Sequence, residues 1–196
     1  MNGRLGVMRL ADRDATVALV ASNIPAAFEC VDNLESEQNN ALAKIEKQGG
    51  VRTRDDEQIE NEHLVLLNST NDLLSALRDI QHVPAGLEPF LAMRATRKGI
   101  ARTIAISLIG KLDIPGDKRG SLLLSYVAHG DEEAAISALQ ALDRLGAQAE
   151  PVLDELKRLG REYWSNPATA SLSRSVDQTA AEIEKKVRND ASRARE

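Results

Sequence analysis

Ala101, Ala105, Ile106, Ile109, Leu112 and Leu123 recur 33 residues later as Ala134, Ala138, Leu139, Leu142, Leu145 and Leu156. A fixed period with matched apolar positions narrows the possible folds to stacked helical pairs, because a unit of that length cannot bury its own apolar face alone. The phrase also extends backwards. Leu77, Ile80, Glu88-Pro89 and Leu91 parallel Leu142, Leu145, Glu150-Pro151 and Leu153, at an offset of 65 before the turn and 62 after it. Proline in a first helical turn removes only an N–H that has no partner there. Pro115 marks the corresponding turn of the middle unit. The spacing predicts helix–turn–helix units over 64–96, 98–129 and 131–163, then a capping helix from about Thr169 with Leu172, Val176, Ala180, Ile183 and Val187 on one face. The polar residues 189–196 are expected to fray.

Residues 1–63 precede the repeat region at 64–188 and carry a different pattern. Asn23-Ile24-Pro25 reads as a helix start, and Ala27, Val31, Leu34, Gln38, Ala41 and Ile45 then form one stripe. Gly49-Gly50 ends it. Asp55, Asp56 and Glu57 favour the positive end of a second helix, on which Ile59, His63, Leu66, Thr70, Leu73, Leu77 and Ile80 step for three heptads. Two long antiparallel helices follow, over about 25–48 and 55–81. A short helix within 1–22, capped by Asp12 or Asp14, can precede them. The hairpin either closes on itself or dimerises through residues 25–81, and the polar Gln38, His63 and Thr70 in its seams weaken the second option. Aromatics are only 3% of an Ala- and Leu-rich chain, so composition agrees with an all-α fold. Thr103 to Leu108 alternates as a half-buried strand would, but Ile106, Ile109 and Leu112 fit the helical repeat and no partner strand is evident. Gly99 can interrupt a helix, and Gly110 can admit a neighbouring one closely.

The run Ala138 to Gly146, followed by Ala149-Glu150-Pro151-Val152-Leu153 and Leu156, resembles a HEAT or armadillo-type repeat, in which an Ala/Leu-rich helix ends at Leu-Gly and the next begins near a proline. The resemblance covers about 73–163. It is strong in the last unit; the middle one has Asp113 where glycine is expected, and the first has Ile80-Gln81 with a longer turn. It implies an α-solenoid that binds or scaffolds other macromolecules, with no catalytic residues to carry over.

The chemistry the chain can support is restricted. A net charge of −5 provides no global attraction to nucleic acid or anionic lipid. The single cysteine, Cys30, cannot form an internal disulfide; Glu29 and Asp32 beside it oppose a thiolate. No segment has the length and apolarity of a secretory leader or a membrane span, so a cytoplasmic protein is expected. Glu60-x-x-His63 has the spacing of a di-iron carboxylate motif, and Asp79-x-x-His82 repeats it near the end of the same helix, but such a site needs the motifs on two facing helices and further glutamates. His129-Gly130-Asp131-Glu132-Glu133 reads as one helix ending and the next beginning. No nucleophile elbow, P-loop or dinucleotide fingerprint occurs. The expectation is therefore no enzyme, metal or cofactor.

What remains is recognition. Arg94, Arg97, Lys98 and Arg102 would share one face of a continuous helix and offer a basic stripe to phosphates, an acidic peptide or a charged protein. Tyr163-Trp164 is an aromatic pair at a helix end, suited to covering the core or anchoring an interface. The leading expectation is a non-enzymatic protein-binding adaptor, scaffold or assembly factor. One alternative is an immunity- or antitoxin-type inhibitor using the acids at Asp55-Asp56-Glu57, Glu60 and Glu62. The other is a nucleic-acid binder using the 94–102 stripe.

Overall fold

The structure is a computed structural model, and it describes residues 13–47, 54–166 and 169–193. Among these the chain forms nine α-helices: α1 Arg13–Ser22, α2 Ile24–Lys47, α3 Arg54–Asp79, α4 Glu88–Thr96, α5 Ile100–Ile109, α6 Gly116–His129, α7 Glu132–Leu145, α8 Leu153–Ser165 and α9 Ala170–Arg193. Short 3₁₀ segments at Ala85–Leu87 and Gly146–Val152 lead into α4 and α8. The fold is all-α. Residues 103–108, where strand and helix patterns competed, are helical within α5. The contacts divide into two compact units, 1–80 and 81–196.

In the first unit α2 and α3 form the antiparallel hairpin, within a residue or two of the expected limits. The Asn23 side chain accepts from the Ala26 amide, so it caps the helix that carries Pro25 in its first turn. The turn expected at Gly49-Gly50, the side chains of 54–57 and Asp12 lie outside the described residues. The seam is driest at the base of the hairpin, where Val20 of α1 and Ile24, Phe28, Val31, Leu74, Leu77 and Ile80 are all buried. Arg13 of α1 reaches Asp79 at 2.5 Å and ties α1 to the end of α3. Farther along, the buried Gln38 amide donates to Thr70 Oγ1 at 3.0 Å, and Thr70 donates to the Leu66 carbonyl. Gln38 and Thr70 thus satisfy each other inside the chain. His63 is half-buried, and its Nδ1 has no hydrogen-bond partner among the described residues.

The second unit follows the 33-residue period. Of the twelve echoed positions, Leu145 is half-buried and the others are buried. The period superposes α5 on α7 and α6 on α8. The helices that pack as pairs are α4 with α5, α6 with α7 and α8 with α9, whereas α5 and α6 touch only slightly. Pairing is therefore displaced by one helix from the units read at 98–129 and 131–163. The reason is that α5, α7 and α9 lie side by side, parallel to one another. Arg102 of α5 meets Asp131 ahead of α7, and Arg144 of α7 donates to Ser107. Ser171 of α9 donates to Glu132, and Lys186 pairs with Asp143 at 2.7 Å. On the other side Lys118 of α6 pairs with Glu88 of α4, and the Tyr163 hydroxyl of α8 donates to the Val127 carbonyl of α6.

Local rules explain the limits of these elements. Gly99 adopts φ 130°, which a side chain resists, and this separates α4 from α5. A Cβ on Gly110 would stand 3.3 Å from the Ala141 Cβ, so its absence lets the end of α5 approach α7. Glu88-Pro89 opens α4, and Pro115 precedes α6. Val83 and Leu112 form an isolated bridge: the Val83 amide donates to Lys111 and the Asp113 amide to Val83. The helix at the C-terminus runs past 188 to Arg193, beyond the expected fraying point; the remaining residues lie outside the described set.

Candidate protein-binding edge

Three helix junctions, at 97–99, at 130–131 and between α8 and α9, collect on one edge of the second unit, because each joins a pair whose later helix belongs to the α5, α7, α9 set. The residues singled out in the sequence fall at this edge, but in different states. Helix α4 ends at Thr96 and Arg97 is extended, so the four basic residues do not form a stripe on one continuous helix. Arg94 and Arg102 are buried. Arg102 Nε donates to the Ala95 carbonyl at 3.1 Å, and its Nη1 to Asp131 Oδ2 at 2.5 Å. Arg97 and Lys98 are exposed. A continuous track of four cations for phosphates is therefore absent, and two of the arginines serve the fold.

Asp131 is the pivot. Its Oδ1 accepts the Ala134 amide as the N-cap of α7, while Oδ2 takes Arg102. The Arg102 hydrogen bond first, then the Ala134 amide and the Lys98 charge, hold its carboxyl below the ordinary range. Sequence reading placed His129, Gly130 and the three acids correctly as an end and a beginning: α6 stops at His129, and Glu132 and Glu133 sit in the first turn of α7. Burial pushes the nearby Tyr126 hydroxyl up, against the pull of Arg102. Tyr163 is half-buried and bonded to Val127; burial, then Glu162, raises its hydroxyl. Trp164 beside it is 76% exposed. The aromatic pair thus divides its work, one ring packing and the other facing solvent.

Along α7, with Thr103 of α5 on its border, the same edge carries a shallow cleft of about 640 Å³, open to solvent and lined by Thr103, Asp131, Glu132, Glu133, Ile136, Ser137 and Gln140. Sequence reasoning missed this cleft. Its one visible signal was Ile136, an apolar residue that stands off the buried face of α7 formed by Ala134, Ala135, Ala138, Leu139, Ala141 and Leu142. Glu132 accepts from Ser171, whereas Glu133 accepts no side-chain bond among the described residues. Chemically the cleft offers carboxylates, amide and hydroxyl groups around one exposed isoleucine. That set suits a cationic, partly apolar protein segment.

Among the described residues no group of three or more His, Cys, Asp or Glu side chains is arranged to hold a metal ion. Cys30 is half-buried, and burial, then the charge of Glu37, pushes its thiol up. No single described helix is long and apolar enough to cross a membrane; α1 and the first part of α2 pass that test only as a pair bent by 104°. Comparison with protein-family models, curated proteins and solved structures yields no match.

Proposed function

We propose that the chain is a non-enzymatic interaction module, and that its second unit is a short HEAT- or armadillo-like stack serving an adaptor, scaffold or assembly factor. The observation that carries this reading is the cleft on the turn edge. There the unengaged Glu133 carboxylate lies beside exposed Ile136, on the edge that also presents Trp164. A partner with a lysine or arginine next to an apolar side chain fits it by charge and by burial. The same preference for a cationic partner keeps the inhibitor of a basic protein as a second reading. A nucleic-acid ligand has less support, since Arg94 and Arg102 are committed to the interior.

The test is affinity purification of the tagged full chain from its native host, alongside a Glu133→Arg/Ile136→Asp variant, with quantitative mass spectrometry. Protein partners should survive nuclease treatment and be lost with the variant. Partners retained equally by the variant, or released by nuclease, would overturn the assignment.

A further inference from the structure

We propose that the outward face of α3 is a self-association surface on which a second copy of this chain docks antiparallel. The seam of the hairpin is occupied within the chain, so the relevant residues are those facing away from it. Gln58, Asn61, Leu64, Val65, Asn68 and Asn71 are all exposed and run along one stripe of α3. None is charged, in a chain whose residues are 28% charged.

The order of this stripe is the same from either end. About the midpoint between 64 and 65, Leu64 mirrors Val65, Asn61 mirrors Asn68, and Gln58 mirrors Asn71. A two-fold contact requires residue i to meet j while j meets i. Two α3 helices crossing antiparallel at that midpoint place apolar side chains on apolar ones and amides on amides. Among these six positions no charge meets its own kind, while the same mirror sets Asp72 against Glu57, acid on acid, in two chains of net charge −5. Asp72 at the end of the stripe is exposed, so the helices must cross at an inclination that carries their acidic ends apart.

The apolar area is substantial for a surface helix. Leu64 is 53% exposed and Val65 47%. Leu67, 38% exposed, lies one turn on from Leu64. Helix α1 covers only the far end of α3, where Arg13 reaches Ser75 and Asp79. The patch is on the order of a few hundred Å², below the roughly 800 Å² per partner of a standard stable interface. The fit is therefore to a reversible dimer. This face belongs to the first unit and the cleft edge to the second, so either assignment can fail without the other.

Sedimentation equilibrium of the full chain from about 1 µM to about 500 µM tests the proposal. The expected result is a mass rising from 21.3 kDa toward twice that value, with association strengthened by added salt as repulsion between the acidic chains is screened. Leu64→Glu/Val65→Glu should remain monomeric with unchanged helicity, while Met93→Glu, an exposed apolar position of the second unit, should dimerise normally. In a Cys30→Ser background, mixed Asn61→Cys and Asn68→Cys chains should form disulfides faster than either chain alone. A monomer throughout, a dimer that persists in the Leu64/Val65 variant, or cross-linking no faster in the mixture would overturn it.

Discussion

Arg102 bonds both sides of the 97–99 turn, to the carbonyl of Ala95 behind it and to the cap of α7 across from it. Its guanidinium is buried and its two partners are fixed by the fold, so its removal strands an acceptor and a capping carboxylate together. Arg102→Gln should lower the melting temperature clearly, and Arg97→Gln, at an exposed position, should leave it unchanged; thermal denaturation followed by circular dichroism distinguishes them. The pH dependence has a defined sign. Because Asp131 is held below its ordinary range when folded, its contribution is complete above the unfolded value of about 3.9 and is lost as pH falls through the folded value. The stability gap between wild type and Asp131→Asn should therefore be constant near neutrality and close below about pH 4.

At the scale of elements, the seam of the hairpin contains a buried amide–hydroxyl pair in place of two apolar residues. Thr70→Val alone leaves the Gln38 amide without that acceptor and should cost about 1–3 kcal/mol, while Gln38→Leu with Thr70→Val should recover most of the loss. A denaturant double-mutant cycle measures both. Helix limits were legible in the sequence because they depend on near neighbours: Asn23-Ile24-Pro25, Glu88-Pro89 and His129-Gly130-Asp131 act where they stand. Which helices pair was not legible. A 33-residue echo reports that α5 resembles α7, but it is silent on whether α5 leans on α4 or α6. That choice depends on rungs such as Arg102–Asp131 and Asp143–Lys186, whose members are far apart in the chain. The basic stripe was misleading for a related reason. Four arginines and lysines at helical spacing look alike until Gly99 breaks the helix between them. Trp164 and the cleft around Ile136 show the limit from the other side: exposure is a property of the assembled unit, and no residue type announces it.

On the scale of the whole molecule, each unit has its own core, with Phe28 and Leu77 fully buried in the first and Leu123 and Leu142 in the second. Leu142→Ala should cost about 2–5 kcal/mol and Phe28→Ala about 3–5 kcal/mol. Calorimetry should show each substitution acting on the melting of its own unit. Within the second unit, the bridge between Val83 and Leu112 brings together two stretches of chain that enclose α4 and α5. Those backbone bonds lie between elements where amides normally trade hydrogens with water freely. Here Val83 and Leu112 are sealed from solvent, and their release requires the enclosed helices to open as one. The amides of Val83 and Asp113 should then take up deuterium as slowly as those of a central helix, so that a loop keeps time with the core.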